Sequence, residues 1–211
     1  MEGVDSYCAD HSDGEPKALK EVSRDTFANV LKPRMLSGHF QGRLLSLISS
    51  LVNPTNILEI GTYTGYSAIC MAEGLAENGK LVTIEANEEY EDRILNNFRT
   101  AGVSEKIELI IGNALEEIPK LDQKFDLVFI DADKLNYIAY YDMIFEKVNI
   151  GGVILSDNVL WDGKVLDNTK KDKTTELLRE FNIHLKNDAR TQKVLLPIRD
   201  GLFVSRKIKE I

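Results

Sequence analysis

Three acids and an amide stand at the ends of two apolar runs. Asp131 and Asp133 follow Phe125-Asp-Leu-Val-Phe-Ile130, and Asp157-Asn158 follow Val153-Ile-Leu155. If both runs are strands of one sheet, their ends are neighbours. The carboxylates of Asp131 and Asp157 then repel each other in a sheltered cleft unless a cation lies between them. With the amide of Asn158 they form an all-oxygen set free of thiolate and imidazole, which selects a hard ion, Mg2+ before Ca2+ or Mn2+, over a structural zinc. Lys134 lies three residues after Asp131 and brings an amine to the same pocket, a placement that suits a general base. Each residue alone has a plainer reading, since a strand-terminal Asp is often only the cap of the next helix and most lysines are solvated. Trp161 reads equally as an aromatic wall for a substrate ring or as packing. His11, His39 and His184 show no ligand spacing, so His184 is read as structural and His39 as a residue of the pocket edge.

A second group of residues points to a nucleoside. The run Asn56-Ile-Leu-Glu-Ile60 leads into Glu59-Ile-Gly-Thr-Tyr-Thr-Gly-Tyr-Ser67, a strand that ends in a glycine turn and opens a helix. Gly61 and Gly65 would let the backbone pass close to a ligand, and Ser67 stands near the amide-rich helix start. Glu59, two residues before the first glycine, would repel a dinucleotide phosphate but attract a cationic, phosphate-free cofactor, of which S-adenosylmethionine is the example. Glu85 follows about 25 residues later, near the spacing at which an acid accepts hydrogen bonds from a ribose.

Strands are expected at 56–60, 80–85, 106–111, 125–130 and 153–155, with helices at 66–77, 88–101 and 135–148. This βαβα order implies a parallel sheet covered on both faces. Thr191-Gln-Lys-Val-Leu-Leu-Pro-Ile198 and Gly201-Leu-Phe-Val-Ser205, joined by Arg199-Asp-Gly, predict an antiparallel hairpin at one edge. Before the sheet, Ser12-Asp-Gly-Glu-Pro16 starts a helix that runs to about Leu31. Its expected apolar face carries Ala18, Leu19, Val22, Phe27, Val30 and Leu31. A second apolar stripe holds Phe40, Leu44, Leu47, Ile48 and Leu51, and the polar leader of about 15 residues is expected to lie loosely over the body. The tyrosines of Asn136-Tyr-Ile-Ala-Tyr-Tyr141 suit either the core or a subunit contact.

Composition narrows the function. The chain has 211 residues, 43% of them apolar, enough for one good-sized core, and its net charge of −8 is interspersed rather than blocked. Neither a basic stripe for nucleic acid nor a polybasic patch for a membrane is present, so small-molecule chemistry is expected. Two cysteines, no signal-peptide form and no long apolar span point to a reduced cytoplasmic setting.

Taken together, Glu59-Ile-Gly-Thr-Tyr-Thr-Gly-Tyr-Ser67, Phe129-Ile-Asp-Ala-Asp-Lys134 with Asn136-Tyr137, and Ser156-Asp-Asn-Val-Leu-Trp161 resemble the class I S-adenosylmethionine-dependent, metal-dependent O-methyltransferases of the caffeoyl-CoA and catechol type. The resemblance spans roughly residues 15 to 207. It implies a Rossmann-like, doubly wound, mostly parallel seven-stranded sheet with an antiparallel C-terminal hairpin strand, in a single domain with cover helices in 1–53 and the core in 54–211. It implies cofactor contacts at Leu36, Glu59, Gly61, Thr62, Ser67, Glu85, Ala114, Asp131 and Asp133, the one at Leu36 through its backbone. It further implies metal ligation by Asp131, Asp157 and Asn158, catalysis by Lys134 with Asp131, substrate contact at Trp161 and Asp162, and a homodimer. The acid-rich segment of plant-type members is here Met35-Leu-Ser-Gly-His-Phe-Gln-Gly42, and the short leader lacks a clear match to the segment that contacts the coenzyme A ester. Two other readings compete: a nicotinamide-dependent dehydrogenase, against which the missing G-x-G-x-x-G counts, and a receiver-type signalling module, for which the chain is long.

Overall fold

The computed structural model describes residues 2–210. Seven strands form one sheet: β1 (Asn56–Ile60), β2 (Lys80–Glu85), β3 (Ile107–Ile111), β4 (Phe125–Ile130), β5 (Val148–Asp157), β6 (Thr191–Leu196) and β7 (Leu202–Lys207). Their order is β3-β2-β1-β4-β5-β7-β6. The first five are parallel, while β7 runs antiparallel to both β5 and β6, as the Arg199-Asp-Gly turn predicts. The strands follow from composition: Leu127, Val128, Phe129 and Ile130 are all fully buried, and each such side chain contributes about 1.5–3 kcal/mol.

Alternation along the strands sorts the core into two layers. Leu58, Ile60, Val128, Ile130 and Ile154 face α7 (Tyr137–Phe145) and α8 (Lys173–Asn187). Ile57, Leu127, Phe129 and Leu155 face the other side, toward α2 (Lys17–Asn29), α3 (Gly38–Val52), α4 (Tyr66–Ala72) and α5 (Glu91–Ala101). The aromatic run is core, with Tyr137, Tyr140 and Tyr141 buried. Helix α8 is absent from the sequence expectation, although Asp172 caps it by accepting from Thr175 N at 3.1 Å and Leu178, Phe181 and Leu185 form its buried stripe. Among the described residues no helix is long and apolar enough to cross a membrane.

The N-terminal elements depart most from expectation. The leader is not loose: it forms α1 (Glu2–Asp10) and is tied down where His39 Nε2 meets Asp13 O at 2.7 Å, which takes His39 away from the pocket edge. Helix α2 ends at Asn29, short of the expected Leu31; it buries Leu19, Val22 and Thr26 and leaves Phe27 exposed, and Leu31 beyond it is exposed too. Helix α3 buries Gln41, Gly42, Leu45, Ser46 and Ser49, and leaves Leu47 and Leu51 exposed. The cause is close helix packing. A Cβ on Gly74, just beyond α4, would lie 2.3 Å from the Ser49–Ser50 backbone, and Ser49 Oγ donates to Met71 O at 2.6 Å. Small residues face α4 because larger ones do not fit.

On the α3/α4 side of the sheet, β1 carries a buried acid between Leu58 and Ile60. Glu59 is fully buried and accepts from Ser67 Oγ and Thr83 Oγ1, each at 2.5 Å. Burial is the main reason its carboxyl is pushed up to about 8, with the hydroxyl bonds opposing and Asp131 and Glu85 adding repulsion. Between its ordinary value and about 8, the folded chain keeps a proton that the unfolded chain has released, so stability falls as pH rises through that window. Thermal unfolding of the wild type should therefore move to lower temperature between about pH 5 and about pH 8, and Glu59→Gln should reduce that slope. Equal slopes in calorimetry would show that Glu59 stays ionised in the fold.

Candidate active site

Parallel register brings the chemistry-bearing residues to one edge. Phe129 pairs with Leu155 and Ile130 with Ser156, so Asp131 and Asp157 come next, side by side and on the same face. Glu59 pairs with Thr83, and Glu85 lies one alternation further along that face. Beyond these strand ends lies a cavity of about 750 Å³. Its lining includes Leu36, Gly61, Thr62, Ser67, Glu85, Ala114, Asp131, Asp133, Lys134, Asp157, Asn158 and Trp161.

The turn after β1 is held by the protein itself. A Cβ on Gly61, where φ is 95°, would lie 2.1 Å from the Asp131 carbonyl oxygen. One on Gly65, where φ is 85°, would lie 2.7 Å from the Phe98 ring. Both glycines therefore make room for neighbouring protein rather than directly for a ligand. Glu85 braces the same turn: its Oε2 accepts from Thr62 N at 3.2 Å and Tyr63 N at 2.7 Å, and its Oε1 from Asn87 N at 2.9 Å. The expected roles of the two acids thus separate. Glu59 lies under the turn, fully buried and off the cavity wall, and burial raises its carboxyl pKa. Glu85 lines the cavity.

Asp133 is fixed by Tyr140 Oη donating to Oδ2 at 2.5 Å and Asn136 Nδ2 donating to Oδ1 at 2.8 Å. Burial first, and Asp133 second, hold the Tyr140 hydroxyl above its ordinary pKa. Lys134 Nζ donates to Asp131 Oδ1 at 3.0 Å and to Tyr137 Oη at 2.6 Å. The Tyr137 hydroxyl has the Asp157 carbonyl as acceptor at 3.0 Å, and burial raises its pKa well above the ordinary value.

Asp157 is 2% exposed, and burial together with the charge of Asp131 pushes its carboxyl up to about 7. Its Oδ1 accepts from Asn158 N at 2.9 Å and its Oδ2 from Gln41 Nε2 at 2.8 Å. Asn158 sits in the left-handed region at φ 57°, a conformation that asparagine tolerates better than most residues. Among the described residues no three His, Cys, Asp or Glu side chains gather as a metal site. The set present is two carboxylates and one amide, with mutual repulsion that a cation would relieve and no soft donor to compete. These donors fit a hard divalent ion.

Trp161 and Asp162 have φ of 51° each, an unusual conformation for such residues. Trp161 lines the cavity. Asp162 is exposed, lies off the cavity wall and donates its backbone N–H to Asp200, so the structure does not bring it to the site. Gln41 and Arg179 stand outside the residues read as functional from the sequence, and Tyr137 is read there only as part of a motif and of an aromatic run. Gln41 supports Asp157; Tyr137 supports Lys134; Arg179 wraps the loop after Trp161, donating to the carbonyls of Val165 at 3.0 Å, Lys164 at 2.9 Å and Lys170 at 2.8 Å. The spacing of Tyr137 from Lys134 was a usable signal; Gln41 acts across a long sequence separation, and Arg179 bonds backbone carbonyls, which carry no residue signature.

Residues 9–208 match the O-methyltransferase family model. The chain is 35% identical over 206 residues to caffeoyl-CoA O-methyltransferase 1 of Arabidopsis thaliana, covering 92% of this chain and 79% of that protein. It is 34% identical over 189 residues to a catechol O-methyltransferase of Niastella koreensis, covering 88% and 85%. Among solved structures, the O-methyltransferase from Bacillus cereus in complex with SAH superposes with a TM-score of 0.89 at 33% identity, covering 97% of each chain. An SAH-bound Podospora anserina methyltransferase gives 0.90 at 30% identity, covering 99% and 95%. None of these likenesses supports the dehydrogenase or the receiver module. With the family model matching nearly the whole length, this chain belongs to the O-methyltransferase family.

Proposed function

We propose that this protein transfers the methyl group of S-adenosylmethionine to one hydroxyl of a catechol-type vicinal diol, with a divalent cation, Mg2+ before Ca2+ or Mn2+, at the acceptor side. The observation that carries this reading is the shared cavity: the turn braced by Glu85 and the strand-end residues Asp131, Asp157 and Lys134 line one space. SAH in the Bacillus cereus and Podospora anserina structures supports the donor assignment, and the named caffeoyl-CoA and catechol relatives support the acceptor class. Leu36, Gly61, Thr62, Ser67, Glu85, Ala114 and Asp133 are the donor contacts of this reading, Asp131 serves donor and acceptor alike, and Trp161 is the substrate contact.

Asp131, Asp157 and Asn158 would hold the cation, which supplies Lewis acidity to a bound diol and a template for its two oxygens. Lys134 takes up the acceptor's proton. In its neutral form the amine keeps N–H bonds to Asp131 and Tyr137 and turns its lone pair to the hydroxyl. Asp133, held by Tyr140 and Asn136, fixes the floor where the two halves meet, so that donor methyl and acceptor oxygen are brought into line. The exposed Leu47 and Leu51, one turn apart on α3, support the expected homodimer. The cytoplasmic setting rests on the sequence reading alone.

Two outcomes test this function. Methyl transfer to catechols and catecholic acids, followed by chromatography of the monomethyl ethers, should stop with a chelator and return with Mg2+; full activity in chelator would remove the cation from the account. Lys134→Met should lower kcat by about 10²–10⁴-fold while leaving the KM for S-adenosylmethionine near the wild-type value. An unchanged kcat would exclude Lys134 as the base.

A further inference from the structure

Asp157 receives its second hydrogen bond from far away in the chain. Gln41 is 1% exposed, belongs to α3, and donates Nε2 to Asp157 Oδ2 at 2.8 Å. A side-chain amide has a donor end and an acceptor end of nearly the same shape; the carboxylate of Asp157 takes the donor end, and a donor on the far side holds the other. Arg199, in the β6–β7 turn, is that donor. Its Nη1 donates to Gln41 Oε1 at 3.1 Å, and because a guanidinium only donates, the carbonyl end must face it and the NH2 end must face Asp157. Arg199 is aimed in turn by the carbonyl oxygens of Ser37 and Arg34, both on the cover segment just before Gln41. Its backbone lies in the left-handed region at φ 48°, beside Gly201 at 89°.

We propose that Gln41 and Arg199 are positioning residues for the acceptor half of the site, setting the direction of the Asp157 oxygens and tying cover residues 34–41 to them. The proposal rests on Asp157 being a cation ligand. Partners of metal ligands orient those ligands, and losing one costs about 10–100-fold in metal affinity. Arg199 does not touch the ligand itself and acts only through the amide.

The test is calorimetric titration of Mn2+ into the SAH-loaded full-length chain, with SAH affinity measured on the same samples. Gln41→Leu and Arg199→Met should each weaken Mn2+ binding by about 10-fold or more while SAH affinity stays within about 2-fold. Arg199→Lys, which keeps a donor for the Gln41 carbonyl, should restore most of the Mn2+ affinity. Arg199 lies in an exposed turn, so its variants keep the test available if Gln41→Leu does not fold. Wild-type Mn2+ affinity in Arg199→Met, or a parallel loss of Mn2+ and SAH binding, would overturn the positioning role. If the wild type itself bound SAH but no Mn2+, the cation assignment would fall, and the positioning proposal with it.

Discussion

The site depends on how closely the turn after β1 approaches the end of β4. A side chain at position 61 would have to share space with the Asp131 carbonyl, whose contact point lies 2.1 Å from the ideal Cβ. Asp131 N in turn donates to Ile60 O at 2.9 Å, so the two strand ends are tied by backbone as well as by contact. This closeness sets the turn after β1 and the ends of β4 and β5 edge to edge along the cavity. A wider gap would leave the reacting groups apart whatever the loops did, and small errors of placement between reacting atoms are costly in rate.

That geometry concentrates acids. Glu59, Glu85, Asp131 and Asp157 lie along one face of four adjacent strand ends, and the fold treats each differently. Glu59 is buried under two hydroxyls and shifted toward its neutral form; Glu85 is spent on three backbone amides of the turns; Asp131 is paired with Lys134; Asp157 has the Gln41 amide. Repulsion between Asp131 and Asp157 remains, and it is the physical reason for expecting a cation between them. Burial first, with repulsion from Asp131 added, raises Asp157 and Glu59 alike, so the site's electrostatics and the stability of the sheet are linked.

The strands were legible because apolar runs such as Phe125–Ile130 have one stable destination, a strand covered on both sides. Their ends could then be read as a set, which brought Asp131, Lys134, Asp157 and Asn158 together correctly in space. The cover helices were misread because counting apolar residues misses close packing: α3 turns Gly42, Ser46 and Ser49 inward and leaves Leu47 and Leu51 outside. The full burial of Glu59 was not legible for a related reason, since desolvation is a property of the packed fold. The bonds of Glu85 to the turn amides likewise could not be seen from its spacing. Asp162 carried a family position without the local backbone to bring it to the cavity.

The central claim is that one cavity holds the donor and a cation at adjacent strand ends. Anomalous diffraction from crystals grown with S-adenosylhomocysteine and Mn2+ tests it directly. The account predicts nucleoside density along the Gly61–Glu85 wall and a single Mn2+ peak within about 2.6 Å of oxygens from Asp131, Asp157 and Asn158. A nucleoside in place with no peak between those three residues, or a peak bound elsewhere, would contradict it.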